Sequence, residues 1–197
     1  MAFTVVNSDL DVINLALQRL GHDTIVDIDE NTEAAILARA TYDTARKAML
    51  EMQAWNFATK YATCVSATLP AAAAMTYDRA YTLPTNWLRI LEVEGQTADV
   101  GDEWEISDGL LLTNLGDTTA RVRYVEDSTV VSAWSSSFID ALAARLERDW
   151  AERLTKETSL GERKAAEYET VLARARTYDS QQATPKRIEA SSWISSR

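Results

Sequence analysis

Residues 42–58 read YDTARKAMLEMQAWNFA, and residues 81–95 read YTLPTNWLRILEVEG. The period of the apolar residues changes between the two, and that change sets the fold. In the first stretch Tyr42, Ala45, Met49 and Met52 recur at i, i+3 and i+4 spacing, along one face of a helix. Trp55-Asn56-Phe57 then ends the helix with two large rings that require burial. Trp55 and Phe57 are therefore expected as core anchors where helix meets sheet. In the second stretch Tyr81 and Leu83 alternate with polar residues before Pro84, and Trp87 to Val93 has the β-branched and aromatic content of a strand.

Working outward, four helices are expected, over about 8–20, 32–53, 136–156 and 160–180. Ser8 is a candidate N-cap for the first and Gly21 its C-terminal stop. Leu10, Ile13, Leu17 and Leu20 form its apolar stripe. Phe138, Leu142, Leu146, Trp150 and Leu154 step by four along the third helix. The fourth is expected to start on a capping box, Ser159-x-x-Glu162, with Ala165, Tyr168, Leu172, Ala175 and Tyr178 as its stripe. Helices three and four should form an antiparallel hairpin. Strand candidates are 62–69, 79–83, 87–94, 103–107, 110–113 and 120–126, with a hairpin turn at Ser107-Asp108-Gly109. Residues 71–75, AAAAM, are either a linker or a short helical turn. The expected class is α+β, mainly α: an antiparallel helical bundle with a small antiparallel β subdomain inserted at about 62–126, residues 1–181 forming one domain, and an extended C-terminal arm over 182–197.

Composition narrows the class of function. The 197 residues include six Trp, and 46% are apolar, enough for a core and too much for general disorder. Cys64 is the only cysteine, which excludes an intrachain disulfide and fits a reducing compartment. No apolar run approaches the roughly 20 residues of a membrane span, and MAFTVVNSDLD lacks the basic start of a signal peptide. The formal net charge is −10. From Glu92 to Asp117 every ionisable residue is acidic, and across 1–33 Arg19 is the only base. Such a body is a poor binder of phosphate backbones, although solubility alone also accounts for either acidic run.

Candidate chemistry is sparse. His22, the only histidine, sits beside Asp23 but near no nucleophile motif, and reads as a cap or loop residue. Asp27, Asp29, Asn31 and Glu33 superficially resemble a calcium loop, but Thr32 stands where the loop needs Gly. An acidic helix N-terminus is the simpler reading. Asp99, Asp102, Glu103 and Glu105 form an acidic hairpin that reads as a solvated loop rather than an ion site. No phosphate-binding glycine loop and no nucleophile elbow occurs. No catalytic residue, cofactor or metal is expected, and the chain reads as an assembly component rather than an enzyme. The segment from Gln181 onward loses helical period yet holds Ile188, Trp193 and Ile194, next to Pro185, Lys186 and Arg187. A sharper reading than chance composition is an arm that buries these residues in a partner.

These stretches together resemble the head–tail adaptor family of short-tailed phages, often called tail tubular protein A. The matching residues are Tyr42, Asp43, Arg46, Leu50, Trp55, Asn56, Phe57 and Ala58, then Tyr81, Leu83, Pro84, Leu88, Arg89, Leu91 and Val93. INLALQRLG at 13–21, DIDENTEAA at 27–35, the spaced Glu105, Ile106, Gly109, Leu111, Leu112 and Thr113, RVRYV at 121–125 and FIDALAARL at 138–146 continue it. The resemblance runs over roughly 10–182, and its specificity lies in order and spacing rather than in any one motif. It implies a virion protein at the head–tail junction, made in the host cytoplasm. Such a protein forms a dodecameric homo-oligomeric ring between portal and tail nozzle and passes DNA without specific binding, with no membrane role. On this reading 182–197 docks in the portal, free in the isolated protein and ordered in the particle. Asp99, Asp102, Glu103 and Glu105 would face the channel and repel phosphates. Two other readings stand beside it: a tail-associated cell-wall glycan hydrolase using paired carboxylates, and an oligomeric interaction protein unrelated to phage.

Overall fold

The computed structural model of the chain describes residues 6–97 and 104–182. Helix α1 (Asp9–Arg19) begins on a capping box in which Ser8 Oγ accepts the Asp11 amide (3.2 Å) and the Asp11 carboxylate accepts the Ser8 amide (3.0 Å). It stops where Gly21 takes φ +73°. The Gly21 amide donates to Gln18 O (3.0 Å) and the His22 amide to Leu17 O (2.9 Å), the paired bonds of a Schellman ending. Helix α2 (Glu33–Met52) is capped by Thr32, whose side chain accepts the Ala35 amide. Helices α3 (Ser136–Thr155) and α4 (Thr158–Gln181) are joined through Lys156 in the left-handed conformation. The start of α3 lies beside the end of α4, so the two run antiparallel.

Between α2 and α3 the chain lays down β1 (Thr59–Ala67), β2 (Arg79–Thr82), β3 (Trp87–Val93), β4 (Gln96–Thr97), β5 (Trp104–Ser107), β6 (Leu110–Thr113) and β7 (Thr119–Glu126). They form one sheet in the order β4-β3-β7-β1-β2-β6-β5, antiparallel at every pairing. Two turns, Glu94-Gly95 and Asp108-Gly109, have positive φ at both central residues, as the tightest hairpins require. The edge strands β4 and β5 are consecutive in the chain, and the sheet curls into a nearly closed barrel.

Two cores result. The larger holds α1, α2, α3 and α4 around Trp55, Phe138, Leu142, Leu146 and Trp150, and takes in Val125 of β7 with Leu88 and Leu91 of β3. The smaller lies within the curl of the sheet, around Tyr81, Leu83, Ile90, Val93, Leu111, Val122 and Cys64. Helix contacts carry polar ties: Trp150 Nε1 donates to Thr41 Oγ1 (2.9 Å), and buried Glu147 of α3 receives both Arg19 of α1 (3.3 Å) and Lys164 of α4 (2.6 Å).

Several expectations are corrected. The chain is not a mainly helical bundle with a small β subdomain: its strands, six of them with four or more residues, build a barrel-like sheet with a core of its own. The helices stand out in sequence because their apolar period is local. A strand such as β1 (TKYATCVSA), buried only at Cys64, gains its place from pairing with β7 some sixty residues away. Pairing also moves the start of β1 from the expected 62 to Thr59, opposite Val125. β4 was not expected, since two residues carry no period. The capping box at Ser159 is absent: α4 starts at Thr158 with Glu157 as a cap that makes no side-chain bond. Met52 and Tyr178 point to solvent rather than completing their stripes, and Asp179 is buried in place of Tyr178. Residues 71–75 hold a single 3-10 turn, Ala73–Met75.

Candidate assembly surfaces

The corner where α2 passes into β1 gathers most of the residues singled out in 42–58. Trp55 is fully buried, its Nε1 donating to Met49 O (2.8 Å). Phe57 is half-buried. The two rings meet Phe138 at 5.1 and 5.0 Å, near-perpendicular, and Trp134 closes on Phe138 from its other side at 5.2 Å. Asn56 faces the end of α4: its amide donates to Asp179 Oδ1 (3.0 Å) and its side chain to Asp179 O. That reception explains a buried Asp at the end of a helix. Without such donors, burying a carboxylate would cost several kcal/mol.

One turn back along α2, Arg46 is buried and holds Asp127 (2.6 Å), Asp43 (2.7 Å) and Ser128 O (2.9 Å). Burial works against its charge, but the bonds to Asp127 and Asp43 outweigh it and raise its pKa. Lys47 shares Asp43 (2.7 Å). Bonds from Lys47 and then Arg46 hold the Asp43 carboxyl below its ordinary value. Tyr42 donates to Asp9 (2.7 Å), linking α2 to α1, and burial followed by that bond pushes its phenol up. In the YDxxR pattern, Tyr42 thus ties α2 to α1, and Arg46 ties it to the segment after β7.

The acidic run is less uniform in space than in sequence. Glu92 pairs with Arg123 (2.8 Å), Glu94 with Arg121 (2.8 Å) and Asp117 with Arg79 (3.0 Å). Cross-strand neighbours supply the cations that the run lacks. The Arg121 side chain, then its backbone amide, holds the Glu94 carboxyl below its ordinary value. Glu105 is exposed on edge strand β5, while Asp99, Asp102 and Glu103 lie outside the described residues. So do the arm residues Pro185, Lys186, Arg187, Ile188, Trp193 and Ile194. His22 sits in the turn after α1 with Nδ1 3.1 Å from Asp23 O. In the 27–33 loop Glu30 turns inward to accept the amides of Val26 (2.6 Å) and Asp27 (3.0 Å), and Asp29 pairs with Arg39 (3.2 Å). Its carboxylates are occupied by the loop's own backbone and by α2.

Three of the grooves among the described residues are the most extensive. The outer face of the sheet beyond the helices shows Tyr61 and Val65 beside the Arg121 and Arg123 pairs, over a groove of about 440 Å³. A groove of about 950 Å³ lies between the start of α3 and the end of α4 and reaches Gln182, the last described residue. The third, of about 590 Å³, lies between α1, the 26–28 loop and α2, with an apolar floor and a rim that carries Asp9, Asp27, Asp43 and Arg39. Sequence reasoning missed all three, since each joins side chains from elements far apart in the chain. Val26, 86% exposed, was the one local sign: a large apolar residue outside every periodic stripe. Among the described residues no group of three or more His, Cys, Asp or Glu is placed to hold a metal ion, and no helix is long and apolar enough to cross a membrane. No protein-family model matches the sequence, and a search of curated proteins found no match.

Proposed function

We propose that this chain is a structural subunit of a phage head-to-tail adaptor ring, joining portal to tail nozzle and forming part of the DNA channel. The observation that carries the reading is the convergence of the stretches that resemble the family. Residues 42–58, 81–95, 121–125 and 138–146 contribute Trp55 and Leu50, Leu88 and Leu91, Val125, and Phe138 to a single core. On this reading the protein is not an enzyme, it works in the virion, and its partners are further copies of itself, the portal and the nozzle. Residues 182–197 dock in the portal, with Trp193 the main anchor. Glu105, with Asp99, Asp102 and Glu103, faces the channel and keeps the duplex from adhering.

The test mixes the purified chain with portal rings and weighs the product. A dodecameric ring added to each portal is the expected result, lost when 182–197 is removed. A chain that never joins the portal at any stoichiometry overturns the reading. Release of sugars from host cell wall would turn it towards a hydrolase.

A further inference from the structure

We propose that the apolar turn at 70–76 is a knob by which one copy of this chain docks in the groove between α1 and α2 of the next copy. From Tyr61 to Tyr77 the sequence holds no charged residue, in a chain of which 25% is charged. Its outermost part, PAAAAM between β1 and β2, stands in solvent: Ala71, Ala72 and Ala74 are exposed, and Met75 is 91% exposed. Contiguous exposed apolar side chains on a protein surface mark a contact with something else. The turn is also held in shape. The Ala73 amide donates to Pro70 O (2.9 Å) and the Tyr77 amide to Ala73 O (2.9 Å). Asn114 Oδ1 accepts the Asp78 amide (2.8 Å), and Asn114 Nδ2 donates to Thr76 O (3.2 Å). Tyr77 is buried against Ala80 and Leu112. A projection fixed before contact loses little conformational entropy on contact.

The groove has the matching character. Leu10, Ile13 and Ala38 build its floor, with Val26, 86% exposed, at its lip. Each charged group on its rim is engaged within the chain. Asp9 accepts the Tyr42 hydroxyl (2.7 Å), and Asp27 accepts the Asp29 amide (2.9 Å). Asp43 holds Arg46 and Lys47 (both 2.7 Å), and Arg39 pairs with Asp29 (3.2 Å). The rim therefore calls for no countercharge. An uncharged occupant covers the floor and leaves these groups in water, the division of apolar centre and polar rim found in protein interfaces. Met75 and Val26 both stand in solvent, so the knob does not fill the groove of its own chain, and its bonds to Asn114 keep it on the sheet. The occupant is the knob of a second copy. Because knob and groove are different surfaces, the contact is heterologous: it repeats from copy to copy and closes into a ring or extends as a filament. The inference rests on one part of the adaptor reading, the assembly of further copies, and gives that part its surfaces.

The experiment uses full chains, alone and with portal rings. Met75→Cys and Val26→Cys are prepared separately, mixed and treated with a short bis-maleimide. Both positions are exposed and native Cys64 is buried, so each variant should keep the parent melting curve and offer one reactive thiol. Linked dimer should form in the mixture well above the amount from either variant treated alone. Met75→Asp should weaken self-association, measured by sedimentation, by about thirtyfold, as for an interface hot spot. Val26→Asp should do the same. A mixture of the two Asp variants should stop at a one-to-one pair, which retains one intact knob and one intact groove. No link in the mixture, with portal or without, overturns the proposal. So does a link as strong in Met75→Cys alone, because the knobs then meet each other. A ring that forms on the portal with Met75→Asp as fully as with the parent overturns the proposal and leaves the adaptor reading standing. A link that forms in the mixture while no copy joins the portal upholds the proposal and overturns that reading.

Discussion

The seam between helices and sheet and the outer face of that same sheet handle charge in opposite ways. At the seam Arg46 is 4% exposed and donates to Asp127, Asp43 and Ser128 O, and buried Asp179 accepts the Asn56 amide. On the outer face Arg121 of β7, with its side chain 79% exposed, pairs with Glu94 at the end of neighbouring β3 in contact with water. The contrast teaches that a short ion pair says little about stability by its length alone. Burial of the partners decides, because removing one of two dry charges strands the other.

Substitutions should rank accordingly. The largest effect is expected at the aromatic centre of the seam, where Trp55→Ala should cost about 3–5 kcal/mol and lower the melting temperature by many degrees. A melting curve within a degree or two of the parent would mean that the corner does not anchor the two layers. Next comes Arg46→Ala, which leaves Asp127 with Lys47 at 3.8 Å as its remaining cation and should cost about 3 kcal/mol in denaturant unfolding. Ser8→Ala, removing the cap of α1, should cost about 1 kcal/mol. Last, Glu94→Gln at neutral pH should cost less than about 1 kcal/mol, and a drop comparable to that of Arg46→Ala would erase the distinction drawn between the two regions.

The acid limb sharpens the same comparison. Asp11 is held below its ordinary value by the Asn7 amide first and the Ser8 hydroxyl next, and Asp43 and Glu94 are lowered by their cations. A carboxyl with a depressed folded-state value binds fewer protons folded than unfolded. Its contribution is therefore complete above the unfolded value, about 4, and is lost as pH falls through the lower folded one. Stability should hold from neutral pH down to about that value and then decline. Asp11→Asn should flatten the decline, measured as denaturation midpoints against pH. A slope identical to the parent's would remove the capping box from the list of causes.

Much of the helical layer was legible from residues alone. The stripe Phe138, Leu142, Leu146, Trp150 and the stop at Gly21 are local patterns, and a helix satisfies its hydrogen bonds within a few residues. The Asp108-Gly109 turn was equally readable because positive φ at two successive residues selects few dipeptides. Glu94-Gly95 makes the same turn but begins with a residue that seldom adopts it, and with it the β4 hairpin went unread. The candidate surfaces were least legible of all, since a groove such as that of Leu10, Val26 and Ala38 exists only after α1 and α2 have packed.

By itself, the sequence determined to within a residue or so where α1, α2 and α3 start and stop, that Trp55, Phe138 and Trp150 must be buried and where one tight turn falls, because these depend on neighbours within about one or two turns of chain. Tertiary structure alone decided that the strands curl into a barrel with its own core, that Glu92, Glu94 and Asp117 meet arginines, and that Asp179 rather than Tyr178 faces inward. Each of these rests on a partner far away in the chain, and only closure of the long loops between them brings such partners within hydrogen-bonding distance.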